Sequence, residues 1–109
     1  MENAEIKKRI AELEKIFEEI DPKQRAVVSP MLRDLAFMEN ELKVLRGLPQ
    51  IRIHPKDATR QEITAAGKRY REIMQTYVNA IKSLLTVLQR NGTDDGDELL
   101  QALKEFINE

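Results

Sequence analysis

The stretch ATRQEITAAGKRYREIMQTYVNAIKSLLTVLQR, residues 58–90, decides the fold of this chain. Its large apolar side chains recur at every seventh position: Ile63, Tyr70, Tyr77 and Leu84. Such a repeat is typical of a helix that packs lengthwise on another helix. The pattern predicts a helix over the whole stretch, about 50 Å long, with Asn91-Gly92 as its C-cap. Gly67 interrupts the helix and should cost about 1 kcal/mol relative to alanine.

A second helix with the same rhythm is predicted over residues 22–46. Its apolar positions are three or four residues apart: Val28, Leu32, Leu35, Met38, Leu42 and Leu45. Asp21 is the expected N-cap, because the proline that follows it fits the first turn of a helix. Pro30 lies inside the pattern, so the helix either kinks near Ala26 or starts afresh with Ser29 as its cap. The kink is the preferred interpretation.

A short connection separates these two helices. Gly47-Leu48-Pro49 ends the second helix, since glycine followed by proline is a stop signal. The arm over residues 47–57 then alternates polar and apolar side chains, which predicts a short extended segment or an edge strand. Because the connection is short, the two helices should form a long antiparallel hairpin over residues 22–90. Four side chains are expected to be buried at its seam: Leu35, Leu42, Tyr77 and Leu84.

Two shorter helices are predicted to complete a single all-α domain over residues 1–109. The N-terminal helix, residues 1–21, has an apolar seam: Ile6, Ile10, Leu13, Phe17 and Ile20. The C-terminal helix, residues 93–109, has an apolar face that we predict binds a partner: Leu99, Leu103, Phe106 and Ile107. The alternative is that this face folds back on the chain's own hairpin. One further helix cannot cover so long a hairpin, so the chain is expected to be a homo-oligomer.

Charge is unevenly distributed, although the net charge of the chain is only −1. Residues 58–92 contain six basic and two acidic side chains, a net charge of +4, whereas residues 93–109 have a net charge of −5. Lys68, Arg71 and Lys82 fall on one row of the third helix, opposite its tyrosines. We predict that this row binds double-stranded DNA, because it could follow a phosphate backbone. The alternative is a solvated helix face, and a DNA contact would then need another basic cluster: Lys7, Lys8 and Arg9.

The chain lacks the residues that common catalytic and metal sites need. It has no cysteine and a single histidine, His54, so neither a thiolate nucleophile nor a zinc site is expected. Its four glycines are scattered and form no phosphate-binding loop. We therefore expect a binding protein that is not an enzyme, with no catalytic residues, metal or cofactor. The absence of cysteine fits a reducing cytoplasm, where we expect the protein. No apolar run approaches the roughly 18 residues that span a bilayer.

Two stretches carry a resemblance to a known family. The first is LRDLAFMENEL, residues 32–42, which continues to Leu45-Arg46. The second is a helical pattern that is followed by an acidic tail around residues 94–97. The residues of this helical pattern are Tyr70, Met74, Tyr77, Ile81, Lys82, Leu84 and Leu85. The order and separation of these stretches resemble the short, helical kind of terminase small subunit encoded by tailed phages and prophages.

The resemblance implies a function in genome packaging inside a bacterial host. Small subunits of this type recognise viral DNA and form ring-like oligomers. They deliver the DNA to the terminase large subunit, which holds the ATPase and nuclease activities. The expected function is therefore that of a non-catalytic packaging subunit that binds viral DNA and the large subunit. The alternative is a structural or regulatory coiled-coil adaptor that binds only protein.

Overall fold

The computed structural model describes residues 4–92 and 96–107, and over these residues the chain is mostly helical. Four helices and one two-stranded antiparallel sheet follow in the order α1 (Ala4–Ile16), α2 (Pro22–Arg46), β1 (Ile51–His54), β2 (Asp57–Ile63), α3 (Ala65–Arg90) and α4 (Gly96–Ile107). The predicted helical architecture is thus confirmed, but the prediction of an all-α fold omitted a β-hairpin between α2 and α3.

Helix α2 begins where the sequence predicts. The side chain of Asp21 accepts a hydrogen bond from the backbone N–H of Lys23, and a proline occupies the first turn. The helix continues through Pro30 without interruption. Ser29 therefore does not cap a new helix, and its hydroxyl donates instead to Glu14 on α1 at 3.0 Å. This bond joins the end of α1 to the part of α2 that the proline weakens.

Helices α2 and α3 form the predicted antiparallel hairpin. Arg46 Nε donates to Tyr70 Oη at 3.2 Å, whereas Gln24, near the start of α2, accepts a hydrogen bond from Asn91 at the end of α3. The chain directions are therefore opposite. The four side chains predicted to lie at the seam are all buried: Leu35, Leu42, Tyr77 and Leu84.

The β-hairpin replaces the first turns of the predicted third helix, which begins at Ala65 and not at residue 58. Strand β1 is the extended segment predicted in the arm, and Ile51 pairs with Ile63 across the ladder. The arm is therefore longer than residues 47–57, since β2 extends it to Ile63. Thr64 sets the helix start, because its hydroxyl accepts from the Gly67 N–H at 2.9 Å and donates to the Pro49 carbonyl.

The fold requires glycine at position 67, for a reason that the sequence periodicity did not reveal. A Cβ atom at this position would lie 2.2 Å from the carbonyl oxygen of Gln50, on the segment that enters β1. The same carbonyl accepts a hydrogen bond from the Thr64 N–H at 3.1 Å. The hairpin can therefore cross α3 closely only because this residue has no side chain.

Helices α1 and α4 pack along the α2–α3 hairpin, and Phe106 of α4 reaches Arg46 at the end of α2. Helix α1 packs on α2, and α4 packs on both α1 and α3, so the four helices enclose one core. Helix α1 ends at Ile16, before the predicted residue 21, yet Phe17 and Ile20 remain buried in the turn that follows. The molecule measures 59 × 28 × 22 Å. Its length reflects the strands projecting beyond the helical core.

Candidate functional site

The predicted DNA-binding row lies on the exposed face of α3. Lys68, Arg71 and Lys82 are all solvent-exposed, on the opposite side of the helix from the buried Tyr77. From Lys68 to Lys82 the row covers 15 residues, a rise of about 21 Å along the helix. Within residues 4–92 and 96–107, none of the three cations has an ion-pair partner. Their charges are therefore available to an external anion, whereas the neighbouring Arg69 is paired with Glu41 at 3.0 Å.

The β-hairpin forms a second exposed surface at the same end of α3. Every residue of β1 and β2 is exposed. One face carries Ile51, Ile53 and Ile63, and the other carries Arg52, whose guanidinium pairs with Glu62 at 3.0 Å. The hairpin is therefore amphipathic, and both of its faces remain largely exposed.

A buried polar network joins all four helices, and sequence analysis did not identify it. Glu39 on α2 is only 3% exposed. It accepts hydrogen bonds from Arg9 Nε at 2.6 Å, Arg9 Nη2 at 2.9 Å and Tyr77 Oη at 2.6 Å. Arg9 Nη2 also donates to the Ala102 carbonyl at 3.1 Å. One residue from each of α1, α2, α3 and α4 thus takes part.

The charges in this network are fixed by their surroundings. Burial alone would lower the pKa of Arg9, but the hydrogen bonds and negative charge of Glu39 outweigh it and raise that pKa above its ordinary value. Burial, and then the hydrogen bond to Glu39, raise the pKa of Tyr77 well above its ordinary value. Arg9 stays cationic and Tyr77 stays neutral at physiological pH. The arrangement is therefore suited to holding helices together and not to proton transfer.

The predicted partner-binding face lies mostly in the core. Leu99, Leu103 and Phe106 are buried, and the Phe106 ring lies 5.6 Å from that of Tyr77. The Arg46 guanidinium lies 4.6 Å from the Phe106 ring centroid, within the range of a cation–π contact. These three residues therefore contact the chain's own hairpin, which is the alternative stated above. Only Ile107 of the predicted set is exposed.

The remaining features offer little chemistry. His54 lies exposed at the end of β1, where its Nδ1 accepts a hydrogen bond from the Lys56 N–H. In the part of the chain that the structure describes, no group of three or more His, Asp or Glu side chains could hold a metal ion. Among the same residues, no helix is long and apolar enough to cross a membrane.

Comparisons with known proteins give no independent assignment. No family model, curated protein or solved structure matches this chain. The resemblance to phage terminase small subunits therefore rests on the sequence stretches quoted above alone.

One residue of the buried network, Glu39, stands out in the sequence once the network is known. Glu39 occupies the apolar stripe of α2, four residues after Leu35 and three before Leu42. A carboxylate at a core position requires a buried partner. The sequence could therefore have indicated that Glu39 is paired, but not that Arg9 and Tyr77 are its partners.

Proposed function

We propose that this protein is the non-catalytic small subunit of a phage or prophage terminase, which binds viral DNA along α3 and transfers it to the large subunit. The observation that supports this most strongly is the row of three exposed cations on one face of a continuous helix, none of which pairs with an acidic side chain among the described residues. Such a row can bind successive phosphates of duplex DNA without reading base edges.

The size of the row limits what one copy can do. Three phosphate contacts give a salt slope of about −2.7 on a log–log plot, so affinity should fall roughly 40-fold between 50 and 200 mM salt. That contribution is small for a single chain. A homo-oligomer presents several rows to the same DNA, and linked contacts raise the apparent affinity without any new interaction. Self-association is therefore part of the proposed function.

The outer face of α4 is the proposed contact for the large subunit. Leu100 and Ile107 are 50% and 58% exposed, and they are accompanied by the exposed acidic side chains of Asp97, Glu98 and Glu105. This face remains open while Leu99, Leu103 and Phe106 are buried beneath it. Leu100 and Ile107 lie along one flank of this face, and Glu98 and Glu105 lie along the other. A partner with an apolar strip beside a basic strip would fit it.

The first experiment measures binding of a fluorescent DNA duplex by anisotropy as the salt concentration is varied. The triple variant Lys68→Glu/Arg71→Glu/Lys82→Glu should lose binding and keep its oligomeric mass. The matched control is Lys15→Glu/Lys23→Glu/Lys104→Glu, which changes the net charge equally at exposed positions on other helices. Equal losses in the two variants would mean that only net charge matters, and would contradict a DNA site on α3.

The second candidate function is an adaptor that binds only protein. The exposed isoleucines of the β-hairpin favour it, because apolar side chains on a projecting arm are suited to protein contacts. Under this alternative, the parent protein binds no duplex even at 50 mM salt. A measured affinity with the expected salt slope would exclude it.

A further inference from the structure

Helix α3 ends in the dipeptide Asn91-Gly92, and this pair of residues carries a chemical reactivity of its own. Asparagine is thermolabile, because the backbone nitrogen of the next residue can attack the carbon of its side-chain amide. Glycine obstructs this attack least, since it has no side chain. In the described part of the chain, the other two asparagines, Asn40 and Asn79, precede residues that have side chains.

Deamidation of this dipeptide needs no reactant other than water. A bond forms between the Gly92 nitrogen and Asn91 Cγ, and the Gly92 N–H proton leaves with the side-chain nitrogen of Asn91 as ammonia. The Cγ–Nδ2 bond is the one that breaks, and the product is a succinimide ring. One water molecule then opens this ring to aspartate or isoaspartate. The net change is hydrolysis of an amide to a carboxylate, with no oxidation or reduction.

The Asn91 side chain clamps the end of α3 to the start of α2. Its Nδ2 donates to the Val87 carbonyl at 2.8 Å and to Gln24 Oε1, and its Oδ1 accepts from the Asp21 N–H at 3.2 Å. We call this set of bonds the Asn91 clamp. An amide is required for it, because a carboxylate can accept hydrogen bonds but cannot donate them. Conversion of Asn91 to aspartate would therefore remove two of the three hydrogen bonds.

The native conformation of this turn opposes the reaction. The Gly92 N–H donates to the Gln89 carbonyl at 3.1 Å, so the attacking nitrogen is already engaged. The ψ angle of Asn91 is 0°, which places the Gly92 nitrogen on the side of the Asn91 N–H and away from the Asn91 Cβ. Ring closure therefore requires the last turn of α3 to open and the Asn91 clamp to be released. Helix ends open at a lower cost than core segments, so the native state slows the reaction without preventing it.

We propose that Asn91 is a site of spontaneous deamidation whose rate is set by the Asn91 clamp, and that the reaction permanently detaches the end of α3 from the start of α2. This inference does not rest on DNA binding. The product has a negative charge at the C-terminal end of α3, where the helix dipole disfavours anions. The same charge lies beside Asp21, whose backbone N–H contacts this side chain. The modification therefore loosens one defined end of the α2–α3 pair, opposite the end that carries the strands.

Mass spectrometry of proteolytic peptides can measure the rate of deamidation. At mildly alkaline pH, Asn91 in the native protein should react at least about tenfold more slowly than in urea, because only the opened turn reacts. Gln24→Ala removes one bond of the Asn91 clamp at an exposed position, so it should accelerate the native reaction about twofold to tenfold. Gln101→Ala, at an exposed position on α4, is the matched control and should leave the rate unchanged.

Thermal melts measure the consequence of the reaction. Asn91→Asp should lower the melting temperature by about 4–8 °C, the shift expected for lost hydrogen bonds of ordinary strength. Asn79→Asp is the matched control, because it makes the same change at an exposed position within α3. Equal melting temperatures for these two variants would overturn the inference. It would also be overturned if Asn91 stayed intact in urea, reacted equally fast in the native protein and in urea, or reacted equally fast in Gln24→Ala and Gln101→Ala.

Discussion

Substitution of Glu39 should show how much the four-helix bundle depends on one buried carboxylate. Glu39→Gln keeps the size of the side chain but removes the charge that neutralises Arg9. Removing one member of a buried ion pair costs about 3–5 kcal/mol. The Arg9 side chain is 18% exposed and also contacts Glu12 at 3.2 Å. We therefore expect a loss near the lower end, about 3 kcal/mol.

Urea unfolding followed by circular dichroism would measure this loss. With a slope of about 1.5 kcal/mol per molar urea, the midpoint should fall by roughly 2 M. The matched control is Glu41→Gln on the same helix. Glu41 is paired with Arg69, but both side chains are about half exposed, so that pair should contribute less than about 1 kcal/mol.

A combined variant separates the cost of an unpaired group from the value of the network. Arg9→Met/Glu39→Leu/Tyr77→Phe removes every polar side chain of the network together and leaves no charge buried alone. Replacement of a buried ion pair by apolar residues is often neutral, so the triple variant should recover most of the loss seen for Glu39→Gln. Equal midpoints for Glu39→Gln and Glu41→Gln would refute the reasoning, because Glu39 would then contribute no more than a surface ion pair.

Two further predictions follow from single residues. Gly67→Ala should destabilise the protein by more than the roughly 1 kcal/mol that alanine gains over glycine in a helix. The reason is that the added Cβ would lie 2.2 Å from the Gln50 carbonyl oxygen. In thermal melts, the control Gly47→Ala should keep the stability of the parent, because the nearest atom to its added Cβ lies at 3.5 Å. Burial and the bond to Glu39 raise the pKa of Tyr77, so the stability that protonated Tyr77 contributes is complete below about pH 10 and declines above it. Urea midpoints should therefore fall less steeply above pH 10 in Tyr77→Phe than in the parent, and parallel curves would contradict this.

Much of the helical fold could be predicted from the sequence, because the information for it is local. The seven-residue repeat identifies α3 and its buried face, and Asp21 marks the start of α2. The β-hairpin was missed because Ile63 continues the helical repeat of the residues that follow it. Its strand conformation depends on pairing with Ile51, twelve residues earlier. Periodicity within one segment cannot report such a pairing.

Prediction of the candidate sites was limited in the same way, because local sequence patterns do not report which distant segments come into contact. Exposure of Lys68, Arg71 and Lys82 follows from helix geometry alone, so their position on the surface could be predicted. The apolar face of α4 was also evident, but a hydrophobic face does not specify which surface it will contact. Its burial against Tyr77 depends on how α3 and α4 pack together. The partners of Glu39 lie 30 and 38 residues away, so no spacing rule connects them.

The bond from Arg9 to the Ala102 carbonyl joins residues 93 positions apart, and this affects the order in which the molecule assembles and opens. Closing so long a loop has an entropic cost that short-range pairing avoids. The contacts between α2 and α3 near the arm should therefore form early in folding, and α4 should dock late. In the native protein, detachment of α4 should then cost less than opening of the α2–α3 seam. Its amide hydrogens should exchange with solvent before those at the α2–α3 seam, and each such opening briefly exposes Leu99, Leu103 and Phe106.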